Sequence, residues 1–254
     1  TSGSVCSFFL AFLTKMTALT ELHLDGVFRE SHMQFAVDLP TQLQVLCLSD
    51  NTSSLFPTFP KVLSRMTDLR RLAMAFETEL SFAALTPALL NCPHLTSLEM
   101  NQCDFVEDKM GVVIAHLTQL QVFRFVDSDL DDDQSARLVG LLRHHTLLRS
   151  LDLTGNDLGE QTIQTLVHWP HLLYLEKVVL EFDNEVDTTV LEEALQESLS
   201  LVNVFCSYGL TQDETECTCE RNRIRHTSLL DKVSVPERER GAIWVCSRDH
   251  NCEV

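Results

Sequence analysis

The chain has 254 residues, of which 44% are hydrophobic, and it carries a formal net charge of -18 at pH 7. This apolar content suffices for a sizeable core and excludes a disordered chain, while no run of residues approaches the roughly 18 apolar residues of a membrane span. The acidic charge argues against non-specific binding to nucleic acid or to an anionic membrane, because both need a basic surface.

One apolar pattern, Leu-x-x-Leu-x-Leu or a near copy, recurs eight times along the chain. The copies begin at Leu19, Leu43, Leu69, Leu95, Leu120, Leu148, Leu175 and Leu201. Neighbouring copies lie 24 to 28 residues apart, a period typical of repeats built from one strand and one return segment. A repeat of this size cannot bury its own apolar face, so the pattern predicts a continuous α/β stack, or solenoid.

Each copy predicts one short strand, in which alternate residues, at the third, fifth and seventh positions of the motif, face inward. Helical periodicity in the return segments predicts helices at residues 82–90, 109–116, 133–144, 160–167 and 189–198. A further short helix is predicted at residues 61–65 with a few residues before it. Pro87 lies within one of these segments and predicts a kink or a later start. Residues 1–210 are assigned to the repeats and residues 211–254 to a C-terminal capping helix and extension. The first repeat is incomplete, which suggests a fragment of a longer solenoid.

Two stretches resemble known classes of repeat. Residues 148–166, LRSLDLTGNDLGEQTIQTL, resemble a unit of the ribonuclease-inhibitor class of leucine-rich repeats. Residues 92–103, CPHLTSLEMNQC, are similar to the cysteine-containing class found in F-box leucine-rich repeat proteins. The resemblance extends over about residues 8–210. It implies a curved horseshoe, with a parallel sheet on the concave face and helices on the convex face, that binds other proteins.

A polar position follows each strand. Asn156 lies where a leucine-rich repeat places a side chain that hydrogen-bonds the backbone of adjacent turns. Cys103 occupies the same position in its own repeat. Ser128 and Asp183 can make similar bonds. The residues at this position in three other repeats make them poorly or not at all, and we expect local irregularity there; they are Val27, Glu77 and Gly209.

The inward positions of the sheet form the first candidate binding surface. Glu99, Arg124 and Asp152 occupy the same inward place on three consecutive predicted strands, which are about 4.8 Å apart. This acid-base-acid ladder either neutralises itself or contacts a partner. Neighbouring apolar groups favour the second interpretation. The candidate partner-binding residues on this face are Glu99, Arg124, Asp152, Lys177, Val179 and Phe205.

Acidic residues in the loops after the strands form the second candidate surface. The candidate partner-binding acids of this surface are Asp127, Asp131, Asp132 and Asp133. An acid before a helix caps free amides and favours the helix dipole, which explains about one acid per loop but not this density. We therefore predict a protein partner with a basic or mixed-charge surface. The loop lacks the spacing of a calcium-binding loop, so no metal is expected.

Nine cysteines are scattered through the chain rather than arranged as a paired framework. This usage predicts a reducing environment and an intracellular, cytoplasmic protein. Near the C-terminus, Cys217, Cys219, Cys246 and Cys252 could hold zinc or form a disulfide, but their spacing fits no standard zinc pattern. We expect unpaired thiols and no cofactor.

No catalytic set is evident. Most histidines fall at predicted helix ends, and only His23, beside Glu21 and Asp25, lies in an inward cluster. An open sheet offers a trough rather than a pocket in which a nucleophile, a base and an orienting group converge. The sequence thus predicts a protein-interaction module or scaffold and not an enzyme. A GTPase-activating or other enzyme-regulating protein, and a substrate-recognition fragment of a larger ligase or receptor, remain as alternatives.

Overall fold

The structure is a computed structural model that describes residues 15–25, 39–50, 59–80, 82–170, 172, 175–182, 186, 190–191 and 203–208. In these ranges the strands are β1 Glu21–Asp25, β2 Val45–Asp50, β3 Arg71–Leu80, β4 Ser97–Cys103, β5 Val122–Val126, β6 Ser150–Asp152, β7 Lys177–Phe182 and β8 Asn203–Tyr208. The helices are α1 Phe59–Leu63, α2 Phe82–Leu89, α3 Glu107–His116, α4 Asp132–Leu142 and α5 Glu160–Val167.

The chain divides into two compact units between Ser128 and Asp129. The first unit holds β1 to β5, in which each strand pairs in parallel with the next strand along the chain. The second unit holds β6 to β8, paired in the same way. These eight strands lie at the eight predicted motifs, and each begins at the third position of its motif. The fold is therefore an α/β leucine-rich repeat fold with parallel strands.

One backbone contact recurs between neighbouring repeats. The Thr20 carbonyl, just before β1, accepts hydrogen bonds from the amides of Gln44 at 2.7 Å and Val45 at 3.0 Å. The carbonyls that accept two amides of the next repeat in this way are those of Thr20, Gln44, Arg70, Thr96 and Arg149. Two bonds to one oxygen at the start of each strand fix the register of the strand that follows.

The core lies between the strands and the return segments. Alternate strand residues are fully buried, for example Leu72, Leu98 and Leu151. Helices contribute one buried stripe each, such as Leu138, Val139 and Leu142 of α4. Burying one such side chain stabilises the fold by about 1.5 to 3 kcal/mol, so the repeats gain their stability from stacking on neighbours.

The helix boundaries follow the predicted periods closely. Helix α5 has the predicted bounds, and α2, α3 and α4 differ from prediction by one or two residues at either end. Helix α1 begins at Phe59, within the few residues predicted before residue 61, because Pro60 is tolerated in the first turn of a helix; it ends at Leu63, two residues earlier than predicted. Helix α2 begins at Phe82 and contains Pro87, so the later start that this proline predicted is wrong.

The predicted polar position is confirmed in two repeats. The Asn156 side chain accepts a hydrogen bond from the Leu130 amide at 3.3 Å and donates one to the Leu153 carbonyl at 2.8 Å. The Ser128 hydroxyl accepts from the Cys103 amide at 3.1 Å. Of the three positions where irregularity was predicted, it is confirmed near Glu77, because the register between β3 and β4 shifts between Ala75 and Leu80. Val27 and Gly209 lie outside the described residues.

The residue before this polar position has a left-handed backbone in three repeats. The φ angles are 53° at Gln102, 47° at Asp127 and 70° at Gly155. Only Gly155 meets this requirement without steric cost, because an L side chain in this region crowds the carbonyl oxygen.

Within the described ranges the longest helix, α4, has 11 residues, which is too short to cross a bilayer. The predicted helix at 189–198 lies outside the described residues except for 190–191. The predicted cap and extension at 211–254, with its four cysteines, lies outside them altogether.

We expect Leu151→Ala to lower the free energy of unfolding by about 2 to 5 kcal/mol, because it leaves a cavity at a fully buried position of β6. Leu147→Ala is the matched control, since the same atoms are removed from an exposed side chain. Urea denaturation of both variants measures the difference. Equal losses would contradict the placement of Leu151 in the core.

Two glycines of the second unit should respond oppositely to alanine. Gly155→Ala is expected to destabilise the protein by about 1 to 2 kcal/mol, because alanine must adopt a left-handed backbone there. Gly140→Ala is expected to stabilise it by about 0.5 to 1 kcal/mol, because Gly140 lies within α4 and an added Cβ would come no closer than 4.0 Å to its nearest neighbour, Thr165. Thermal unfolding of both variants is the measurement. A stabilising Gly155→Ala would show that the described turn is wrong.

Candidate functional site

Inward side chains of the first unit line an open trough with a volume of about 490 Å³. The strands bring these side chains together because one row of the sheet joins His23, Cys47, Ala73, Glu99 and Arg124 in register. The lining residues at inward positions are His23, Cys47, Ser49, Ala73, Ala75, Glu99, Asn101, Arg124 and Val126.

The depth of the trough comes from small side chains on two adjacent strands. Cys47 and Ser49 of β2 lie in register with Ala73 and Ala75 of β3. Because inward side chains stand roughly perpendicular to the sheet, four small ones in a block leave a depression beside the longer side chains of β4 and β5. A depression two strands wide, about 10 Å, is wide enough for an extended segment of another chain.

A charged cluster forms one wall of the trough. Glu99 accepts hydrogen bonds from Arg71 Nε at 2.9 Å, from Ser97 Oγ at 3.0 Å and from Arg124 Nη1 at 3.5 Å. The Glu99 side chain is only 15% exposed, whereas those of Arg71 and Arg124 are 47% and 42% exposed. Two guanidinium groups pair with this one carboxylate, so the three side chains together carry a net positive charge.

Arg71 is the residue that sequence reasoning left out of the candidate set. The predicted ladder contains only side chains at the same position of each motif. It correctly predicts that Glu99 and Arg124 are neighbours. Arg71 lies opposite Ser97 in register, one row away from Glu99. Diagonal neighbours in a sheet are about 7 to 8 Å apart, within reach of a long arginine side chain. A search of diagonal pairs would have found it.

The predicted residues of the second unit occupy different environments. Asp152 is buried and accepts hydrogen bonds from the Thr154 hydroxyl at 2.7 Å and the Thr154 amide at 3.2 Å, so its carboxylate shapes the turn after β6. Lys177 and Val179 are half-buried at inward positions of β7. Phe205 lies in register with Val179 on β8.

The acidic loop before α4 makes more structural contacts than expected. Asp131 and Gln134 form a capping box, in which Asp131 Oδ1 accepts from the Gln134 amide at 2.8 Å and Gln134 Oε1 accepts from the Asp131 amide at 3.1 Å. Asp133 is ion-paired with Arg137 one turn later in α4. Asp127 lies in the left-handed turn that follows β5. Capping and pairing thus explain more acids in this loop than the one that the sequence suggested.

Asp132 connects α4 to the next helix. Its Oδ1 accepts from the amides of Gly159 at 2.8 Å and Thr162 at 2.9 Å and from the Thr162 hydroxyl at 2.7 Å, while Oδ2 accepts from the Gln161 amide at 2.9 Å. These groups are the free donors at the start of α5. A carboxylate there caps the helix and interacts favourably with its dipole.

The pKa of Asp132 reports the balance of two effects. Burial acts to raise this pKa, but the hydrogen bonds from Thr162, Gln161 and Gly159 favour the ionised carboxylate more strongly and hold the pKa below its usual value. Because the folded-state pKa is lowered, the ionised group stabilises the fold at neutral pH. That contribution is lost as the pH falls through the folded-state pKa.

The described thiols show no sign of activation. Burial raises the pKa of the Cys92 thiol to about 11 and raises the pKa of the Cys103 thiol still further. Burial also raises the pKa of Cys47 in the trough. These three thiols, none of which is in a disulfide, therefore stay protonated at neutral pH, and Cys103 is buried in the interior.

Comparison with solved structures gives similarities of low sequence identity. One is to the actin-binding site 2 of leiomodin-1, with 18% identity, a TM-score of 0.40, and coverage of 57% of this chain and 85% of that chain. Another is to the plant peptide hormone receptor RGFR1 in complex with RGF2, with 14% identity, a TM-score of 0.40, and coverage of 81% of this chain and 35% of the receptor chain. No protein-family model and no curated protein matches the sequence.

A double-mutant cycle tests the contact between Asp132 and the start of α5. Asp132→Ala is expected to cost about 1 to 3 kcal/mol of unfolding free energy, because it removes the cap and leaves the buried Thr162 hydroxyl only its longer bond of 3.2 Å to the main-chain carbonyl of residue 132. Gly159→Ala should remove the same contact, because its Cβ would lie 2.6 Å from Asp132 Oδ2. The double variant should therefore lose less than the sum of the two single losses. Additive losses, measured by chemical denaturation, would contradict this geometry.

Proposed function

We propose that this chain is a protein-interaction module and that the inner face of β1 to β5 is its recognition surface. The observation that carries the proposal is the open trough, with its floor of small side chains and its charged wall. Surfaces of this kind, with accessible apolar groups beside arginine, are typical of protein-binding sites. On this proposal the protein acts by binding and is not itself an enzyme.

The chemistry of the trough supports binding over catalysis. Cys47 is the nucleophilic thiol among the described lining residues, and burial raises its pKa, which is the opposite of what a thiolate nucleophile needs. The arginines of the wall are paired with Glu99, an arrangement that suits recognition of a polar surface.

We further propose a partner of mixed charge and an intracellular location. The exposed side chains of Arg124, which lines the trough, and of Arg71, which shares its partner Glu99, favour acidic groups on the partner. The net charge of -18 favours basic groups elsewhere on it. The free thiols of Cys47, Cys92 and Cys103 are what a reducing compartment permits. Return helices of 8 to 11 residues in α2 to α5 suit the ribonuclease-inhibitor-like or cysteine-containing repeat classes.

Filling the trough should abolish partner binding. Ala73→Trp places a large side chain on the floor, whereas Val112→Trp places the same side chain on the exposed surface of α3 and serves as the matched control. Proteins retained from a cell lysate by the parent and by each variant are compared by quantitative mass spectrometry. We expect at least one partner to be retained by the parent and Val112→Trp and lost with Ala73→Trp.

Thermal unfolding of both tryptophan variants checks that each is folded like the parent. The proposal fails if every retained partner binds a folded Ala73→Trp variant as well as it binds the parent.

A further inference from the structure

We propose that the trough recognises an extended segment of the partner that carries an acidic side chain, bound by Arg71 and Arg124, and an apolar side chain two residues away. This inference rests on the proposed function and specifies the chemistry of its ligand. It differs from the sequence-based expectation of a basic partner, because that expectation was drawn from the loops and not from the wall of the trough.

The accessible charge in the trough favours an anionic group. Glu99 receives three hydrogen bonds and is 15% exposed, so little of its negative charge faces the open side. The side chains of Arg71 and Arg124 are about three times as exposed as that of Glu99. A basic side chain approaching this wall would meet the two guanidinium groups first and be repelled.

Glu99 also prepares the two arginines for binding. An arginine side chain loses conformational entropy when it binds a partner, and that loss lowers affinity. Here the bonds to one shared carboxylate already restrain both guanidinium groups. A guanidinium has five N–H donors in a planar fork that matches a carboxylate, so the bond from Arg71 Nε to Glu99 leaves donors with which a second carboxylate can pair.

The floor selects the second side chain. Cys47, Ala73 and Ala75 lie on the same inner face as the arginines and leave space for an apolar group. In an extended segment, residues i and i+2 point to the same side and lie about 6.8 Å apart. An acid placed over Arg71 therefore positions the residue two places away over the small side chains of the floor.

Glu21 restricts where the acid can bind. This residue is exposed on β1 and lies in register with Val45 of β2, which in turn lies in register with Arg71 of β3. It is thus two strands, or about 10 Å, from the position of Arg71. Repulsion by Glu21 directs the acidic group of a segment toward β3 to β5 and away from β1.

Selection of random heptapeptides displayed on phage tests the inference directly. The immobilised full chain is used at about 0.15 M salt, where the screening length of about 8 Å limits long-range repulsion by the net charge. Peptides whose binding is lost with Ala73→Trp are synthesised together with versions in which each acid is replaced by its amide. We expect these peptides to be rich in Asp and Glu and to lose roughly tenfold in affinity on amide replacement.

Variants of the arginines identify the contact. Arg71→Gln and Arg124→Gln should each weaken the acidic peptides by roughly tenfold and leave the amide versions little changed. Arg137→Gln is the matched control, because Arg137 is 50% exposed and also ion-paired, but lies on α4. Thermal unfolding checks that all three variants are folded.

Two results separate the failure of this inference from that of the proposed function. If peptides sensitive to Ala73→Trp are neutral or basic, or if they bind the Arg71→Gln and Arg124→Gln variants like the parent, the trough binds peptides but the acidic preference is wrong. If the selection yields no peptide that is sensitive to Ala73→Trp, the trough is not a recognition surface, and the proposed function fails with it.

Discussion

The double hydrogen bond that each repeat makes to the carbonyl before the preceding strand is the constraint on which the inner face depends. It recurs at Thr20, Gln44, Arg70 and Thr96 in the first unit and at Arg149 in the second. A slip of one residue would move every inward side chain to the opposite face of its strand. Because the register is held, the fifth motif positions of β1 to β5 fall in one row, and the small residues of β2 and β3 lie beside Glu99 and Arg124.

Polar side chains in the loops stabilise this stacking, and the hydrogen bonds that they make there leave them less able to bind a partner. Asn156 bonds the Leu130 amide, and Ser128 bonds the Cys103 amide, each about one repeat earlier in the chain. Asp132 bonds the start of α5, about one repeat later. A carboxylate that holds several backbone amides is less available to a partner, even when it belongs to a conspicuous acidic run. The inner face, which the repeats leave open, is therefore the better candidate surface.

Much of the fold could be predicted because apolar spacing encodes it. The period of the leucines located all eight strands, and alternation within each motif identified Leu72 and Leu98 as core and Ala73 and Glu99 as inward. The pairing of Glu99 with Arg124 also followed, because both occupy the same place in adjacent motifs.

The rest of the site depends on contacts that spacing does not encode. Arg71 reaches Glu99 diagonally, and Asp152 is buried because its carboxylate bonds Thr154 rather than facing outward. Asp132 can reach the start of α5 because Gly159 has no side chain, which leaves room for the carboxylate. Such roles depend on where the next repeat places its amides, which a sequence read one repeat at a time does not show.

The claim that neighbouring repeats hold each other is tested most directly by amide hydrogen exchange in the Asp132→Ala variant at neutral pH. The account predicts that exchange accelerates by roughly tenfold at Gly159, Gln161 and Thr162, although the substitution lies in the preceding helix, because a cap contributes about 1 kcal/mol or more. Acceleration confined to the first turn of α4, with the start of α5 protected as in the parent, would contradict it.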